Sequence, residues 1–500
     1  MAQFKNPYQG DVFAPEDSNR NRNGFDRLSG NRYQSPVPGH LPLIALLPNE
    51  KGKLTDSLTV SRMRRAGLNC MAVDTPASVL MKHYSASGSL PMPTLLMIDY
   101  FLTEALPGIK TPAEATDDVI PKLKEMNLRG IIMPVGDSFK SIDRVREYLR
   151  RLYDSALAVK AEMPPVIPMV SEQSVIPRLH KKGEEAEAPY LLSYLQLCLG
   201  PCVWATDSNL WRYDGNTFKG PLIPSMNDRE IMAFMGIWSD RPTWGYVRCL
   251  PLEKIKNPAL DYGPMLGAAF SALATGAQGL MFSDLRQGIG TPAPLEPGGK
   301  SGSIEPVLPV TACSSYDLVE PVVRRVRQFE GVFLGAHRIE TLHTDPNATP
   351  RSDGQNPDYT LELTARTNGV LPKNLFSRMT MALGPLVSIT GAKSEPAKVM
   401  VSHLSLMTDH TALKCPEAEN VLDFLVVVNK NLIRSQTINI ELIPHYQVLE
   451  VTQALINDPA DRSANALVEK KISSSSITRT LAPGDILVLR WKPVAPAPLG

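Results

Sequence analysis

The feature that most constrains this chain is a rhythm. From Leu41 to about Gly335, short apolar runs alternate with stretches of helical periodicity. Runs too short for helices, bounded by turn residues and separated by amphipathic segments, are the pattern of βα units and a parallel sheet. Strands are expected over Pro42–Pro48, Asn69–Asp74, Thr94–Phe101, Gly130–Asp137, Pro165–Glu172, Cys202–Asp207, Thr243–Leu250 and Ala277–Asp284. Helices are expected over Thr55–Gly67, Pro112–Asn127, Ser141 to about Met163, Tyr190–Leu199, Asn227–Ser239, Gly263–Thr275 and Tyr316–Gly335. Eight units in roughly 295 residues suit a (β/α)8 barrel. The alternative is a doubly wound open sheet. Its usual signatures, G-x-G-x-x-G or a P-loop after a strand, do not occur.

Beyond Gly335 the helical period stops. Tyr359–Thr364, Leu422–Asn429, Thr437–Leu442, Tyr446–Thr452 and Ile486–Trp491 alternate apolar and polar residues, and Leu481-Ala-Pro-Gly-Asp485 reads as a tight turn before the last strand. Such spacing describes an antiparallel sandwich. The fold class expected is therefore α/β, a (β/α)8 TIM barrel over 41–335 followed by an all-β sandwich over 336–494. Residues 1–40, rich in Asn, Arg, Gly, Pro and Ser, read as an extended N-terminal arm, and 495–500 as a Pro-rich tail.

Charge and composition remove several classes of function. The 52 basic and 51 acidic residues nearly cancel, without a basic block that would track nucleic acid. The sequence lacks an apolar signal region and the ~18-residue apolar stretch of a membrane span, so a cytoplasmic protein is expected. Six scattered cysteines suit reduced thiols, and Cys198 and Cys202 lack the further ligands of a zinc site. His83 and His180 stand away from strand ends. No cofactor and no metal are implied, and G-x-S-x-G is absent.

Some segments carry a family likeness. Arg64-Arg-Ala-Gly-Leu-Asn-Cys70 resembles the entry into strand two of glycoside hydrolase barrels, and Ala269-Phe-Ser-Ala-Leu-Ala-Thr-Gly-Ala-Gln-Gly279 resembles the small-residue helix packed before strand eight. The barrel-then-sandwich order and the Pro483-Gly-Asp485 turn are also similar to those families, over roughly residues 41–493. These motifs describe packing, and a shared fold does not imply a shared function.

In such barrels the site lies at the carboxyl ends of the strands. Those ends offer Asp74, Asp99, Asp137, Glu172, Asp207 and Asp284, with Glu253 beyond strand seven. Glycoside hydrolysis needs one protonated and one ionised carboxyl, and crowding of like charges splits such pKa values. Asp at a strand-to-loop junction equally well caps a helix or forms an Asx turn. The resemblance to glycosidases implies Glu at strands four and seven in many cases. Here those ends read Gly136-Asp137-Ser138 and Arg248-Cys249-Leu250-Pro251. A second arrangement uses Asp at strands four and six, which implies Asp137 and Asp207 as the catalytic pair. Trp204, Trp211 and Tyr213 supply aromatic faces for sugar C–H stacking, or pack core and loop. With Glu172 and Asp284 the two tryptophans complete the expected substrate-binding set. Arg248 and Arg286 stand ready to pair with these carboxylates, which would plug the mouth with salt bridges.

Two readings therefore stand. One is a glycoside hydrolase-like protein that binds or hydrolyses carbohydrate. The other is a non-catalytic structural protein, a pseudoenzyme subunit of a virus particle, tube, filament or cellular array. In the second, residues 1–40 contact neighbouring subunits.

Overall fold

The computed structural model describes residues 35–47, 57–73, 92–97, 128–135, 166–170, 204–206, 212–213, 218–219, 243–249, 262–283, 285, 315–343, 385–391, 397–408, 411–415, 419–443 and 446–493. Within the first part of the chain lie β1 (Leu43–Leu47), α1 (Ser57–Arg65), β2 (Cys70–Val73), β3 (Thr94–Met97), β4 (Leu128–Val135), β5 (Val166–Val170) and β6 (Trp204–Thr206). A short hairpin, β7 (Arg212–Tyr213) with β8 (Phe218–Lys219), precedes β9 (Thr243–Arg248), α2 (Gly263–Ala274) and β10 (Leu280–Ser283). Then come α3 (Ser315–Gln328) and α4 (Glu330–Phe333). Eight of these strands form a closed parallel barrel in the order β1-β10-β9-β6-β5-β4-β3-β2. All eight expected strands are present, each within the span read from the sequence or offset by two residues. The expected helices over 112–127, 141–163, 190–199 and 227–239 lie outside the described residues.

The likeness motifs do structural work at the barrel's amino end. Asn69 lies beside β1. Its Oδ1 accepts from Leu43 N at 2.7 Å and its Nδ2 donates to Leu41 O at 2.9 Å, so the amide satisfies backbone groups that neighbour the start of the strand. Gly67 ends α1 at φ +82°, against Val323 of α3. Gln278 is buried and ties the approach to β10 to residues 333–336. Its Nε2 donates to Phe333 O and Ala336 O, and its Oε1 accepts from Gly335 N at 2.7 Å. Those bonds fix the exit from the last helices toward the sandwich.

That exit departs from the expected single helix over Tyr316–Gly335. Helix α3 stops at Gln328 and α4 restarts at Glu330, with Phe329 between at φ −120°. The break brings the buried Glu330 carboxylate under the N-terminal segment. Oε1 accepts from Leu41 N at 2.7 Å and meets His40 Nδ1 at 3.3 Å, while Arg327 lies 3.5 Å from Oε2. The chain before β1 is therefore anchored from Ser35, with Gly39 seated directly on Pro459 of the second half.

The second half holds β11 (His337–His343), β12 (Leu386–Gly391), β13 (Val399–Met407), β14 (Val421–Asn429), β15 (Gln436–Leu442), β16 (Tyr446–Leu455), β17 (Ala466–Ile472), β18 (Ser476–Leu481) and β19 (Ile486–Pro493). They form a six-stranded sheet, β11-β13-β14-β19-β16-β17, and a three-stranded sheet, β12-β15-β18, with antiparallel pairing throughout. The expected strand Tyr359–Thr364 lies outside the described residues. Because side chains alternate, the larger sheet has two apolar faces. Val401, Leu425, Val427 and Leu489 pack with Ile438, Ile440 and Ile477 of the smaller sheet. Met400, Leu404, Phe424, Val426 and Val488 join the barrel's own core.

Small residues make that second contact close. The α-carbons of Gly263 and Gly267 on α2 face the Pro483-Gly484 turn and Leu432. Asp485 of the same turn is held by Arg325 of α3 through two bonds, Nε–Oδ1 at 2.9 Å and Nη2–Oδ2 at 3.1 Å. This paired geometry fixes orientation as well as distance. Among the described residues, no helix is long and apolar enough to cross a membrane.

Candidate functional site

The ring order decides which strand ends are neighbours. Strand β5 pairs with β4 on one side and β6 on the other, and β9 lies between β6 and β10. Asp137 follows the end of β4 by two residues, Glu172 follows β5 by two, and Asp207 and Asp284 come directly after β6 and β10. These four, with Trp211, Asp74, Asp99, Glu253 and Arg286, lie outside the described residues. Trp204 opens β6, its backbone in register with Thr243. Tyr213 lies on β7, whose pairing with β8 was not anticipated; the Asp214-Gly215 dipeptide between them was the available turn signal.

On β9 and β10 the described side chains show how the barrel interior changes toward its mouth. A Cβ on Gly245 would meet Ala272 of α2 at 2.3 Å and Leu280 Cδ2 at 3.3 Å, so Gly245 and Leu280 face the helices. Alternation then turns Trp244, Tyr246 and Arg248 inward, and likewise Gly279, Met281 and Ser283. At the lowest level the Trp244 indole lies against Gly279, where a Cβ would come within 2.8 Å of the ring. Trp244 and Met281 are fully enclosed, Tyr246 is half-buried and Arg248 is exposed. The interior thus passes from apolar packing to polar groups at the carboxyl ends.

Ser283 stands at the upper level, in register with Arg248. Its carbonyl accepts from Cys249 N at 3.1 Å, but its buried hydroxyl has no hydrogen-bond partner. Buried polar atoms are usually satisfied, and this hydroxyl is an exception, as is the Trp244 Nε1 lower in the barrel. Sequence reading had singled out Arg248 as a charge near the mouth and had passed over Ser283 and Tyr246. Cys70, on β2, is a packing group: burial pushes its thiol far above the ordinary range and away from nucleophilic use.

Other charged groups in the described structure hold the sandwich together. Arg490, 3% exposed, bonds Glu469 and Glu419, and Lys492 Nζ meets Glu419 at 2.9 Å. Hydrogen bonding from Arg479 holds the Glu450 carboxyl below its usual range. His403 Nε2 meets Asp423 Oδ1 at 2.9 Å, with the His403 ring 5.5 Å from that of Trp491. Among the described residues, no three His, Cys, Asp or Glu side chains gather as a metal ion would require.

No protein-family model matches the chain, and no curated protein matches it. Solved structures do. A family 39 glycoside hydrolase from Bacteroides cellulosilyticus WH2 is 12% identical, covering 93% of this chain and 83% of its own, with a TM-score of 0.42. The α-galactosidase of Saccharomyces cerevisiae is 8% identical, covering 91% and 98%, with a TM-score of 0.44. A family 27 β-L-arabinopyranosidase from Geobacillus stearothermophilus is also 8% identical, covering 92% and 98%, with a TM-score of 0.41. At such values the functional reading rests on the chain's own residues.

Proposed function

We propose that the chain is a glycoside hydrolase-like (β/α)8 barrel protein that takes carbohydrate at the carboxyl ends of its strands. Asp137 serves as the acid and Asp207 as the partner carboxylate. One observation carries this reading: β4 and β6 flank β5 in a closed parallel ring, so both aspartates spring from the same end of the barrel, two strands apart. At ~4.8 Å per strand the ends of β4 and β6 stand roughly 10 Å apart. The reading requires the two carboxyls to lie ~5–5.5 Å apart for a retaining pair or ~6.5–9.5 Å apart for an inverting one. Trp204 and Trp211 offer stacking faces, and Glu172 and Asp284 accept from sugar hydroxyls.

Hydrolysis of a panel of aryl glycosides tests the pair. Asp137→Asn is expected to lower turnover by ~10²–10⁴-fold at an unchanged melting temperature. Undiminished turnover in that variant would take the acid's role away from Asp137.

A second reading is favoured by the end of β9. It carries Arg248, then Cys249 and Leu250, where many barrel glycosidases hold a carboxylate. On this reading the barrel is a building block, and the N-terminal arm joins neighbouring copies. The informative truncation stops at Gln34, because Gly39, His40 and Leu41 are packed against Pro459 and Glu330. Residues 35–500 are then expected to stay folded and monomeric while the full chain assembles, as read by light scattering. Two monomers at high concentration would remove the assembly reading.

A further inference from the structure

We draw no further inference here: the strongest candidate, the cluster of His403, Asp423, Tyr446 and Trp491 on the larger sheet of the sandwich, carries nothing, because Asp423 already meets His403, the Trp491 ring packs against His403 and Tyr446, and nothing in the structure shows what covers the cluster.

Discussion

Replacing Gly484 by Ala is expected to release the sandwich from the barrel. Gly484 sits at φ +68°, a backbone conformation that costs a side-chain-bearing residue on the order of 1 kcal/mol or more. The added Cβ would also lie 2.1 Å from Gly263 O and 2.5 Å from Gly267 N. Both are backbone atoms of α2, so no side chain can turn aside. The turn has to lift, which carries Asp485 away from Arg325 and strains the Gly484 N–Asn431 O bond to the neighbouring loop that packs Leu432 on Gly267. We expect a loss above about 3 kcal/mol, among the larger effects of single substitutions. Calorimetry should show the sandwich melting separately and earlier than in the parent. A variant that melts like the parent would mean that the turn does not hold the two parts together.

Arg490→Met is the second large effect. Arg490 is 3% exposed and lies between Glu469 and Glu419, themselves largely buried. Burial opposes the guanidinium's charge, yet bonding to Glu469 and the charges of both carboxylates keep its pKa raised. Removing the cation leaves Glu419 with Lys492 alone and takes from Glu469 its bonds to Arg490 in a poorly solvated place; breaking a buried pair in this way typically costs about 3–5 kcal/mol. Replacing all three charged groups by apolar residues of similar volume should be far milder, because the one charge then left without its partner, Lys492, is exposed to water. If Arg490→Met alone proves neutral in a denaturant titration, the network is better solvated than the structure indicates.

How much of this was legible in the sequence follows from what surrounds each element. The barrel strands were readable because each is a short apolar run between helical segments. The first and seventh runs, Leu43–Leu47 and Thr243–Arg248, match the expectation almost residue for residue. Strand β13 was missed for an equally physical reason. Val-Met-Val-Ser-His-Leu-Ser-Leu-Met is covered by the barrel on one face and the small sheet on the other, so it shows no alternation. Strands β17 and β18 were missed because they are polar, with Glu469, Lys470 and Lys471 in one and Thr478 and Arg479 in the other. Charges along the sheet edge formed by β17 guard against pairing with other chains. The glycines of the turn and of α2 were visible as letters, but their purpose appears only when Gly484 is seen against Gly263 and Gly267.

The candidate site was legible as a set of strand ends and not as a geometry. Alternation along β9 and β10 places Arg248 and Ser283 together, but a serine at a strand end gives no signal in a sequence. Its missing hydrogen-bond partner is a property of three dimensions. The acidic residues were found because carboxylates at strand ends are the chemistry sought.

The separation of the Asp137 and Asp207 carboxyls in a crystal structure of the protein with a bound oligosaccharide tests the central claim most directly. The account predicts that both face the same glycosidic oxygen, either ~5–5.5 Å or ~6.5–9.5 Å apart. Carboxyls more than about 10 Å apart, or each captured by Arg248 and Arg286 with no sugar between them, would contradict it.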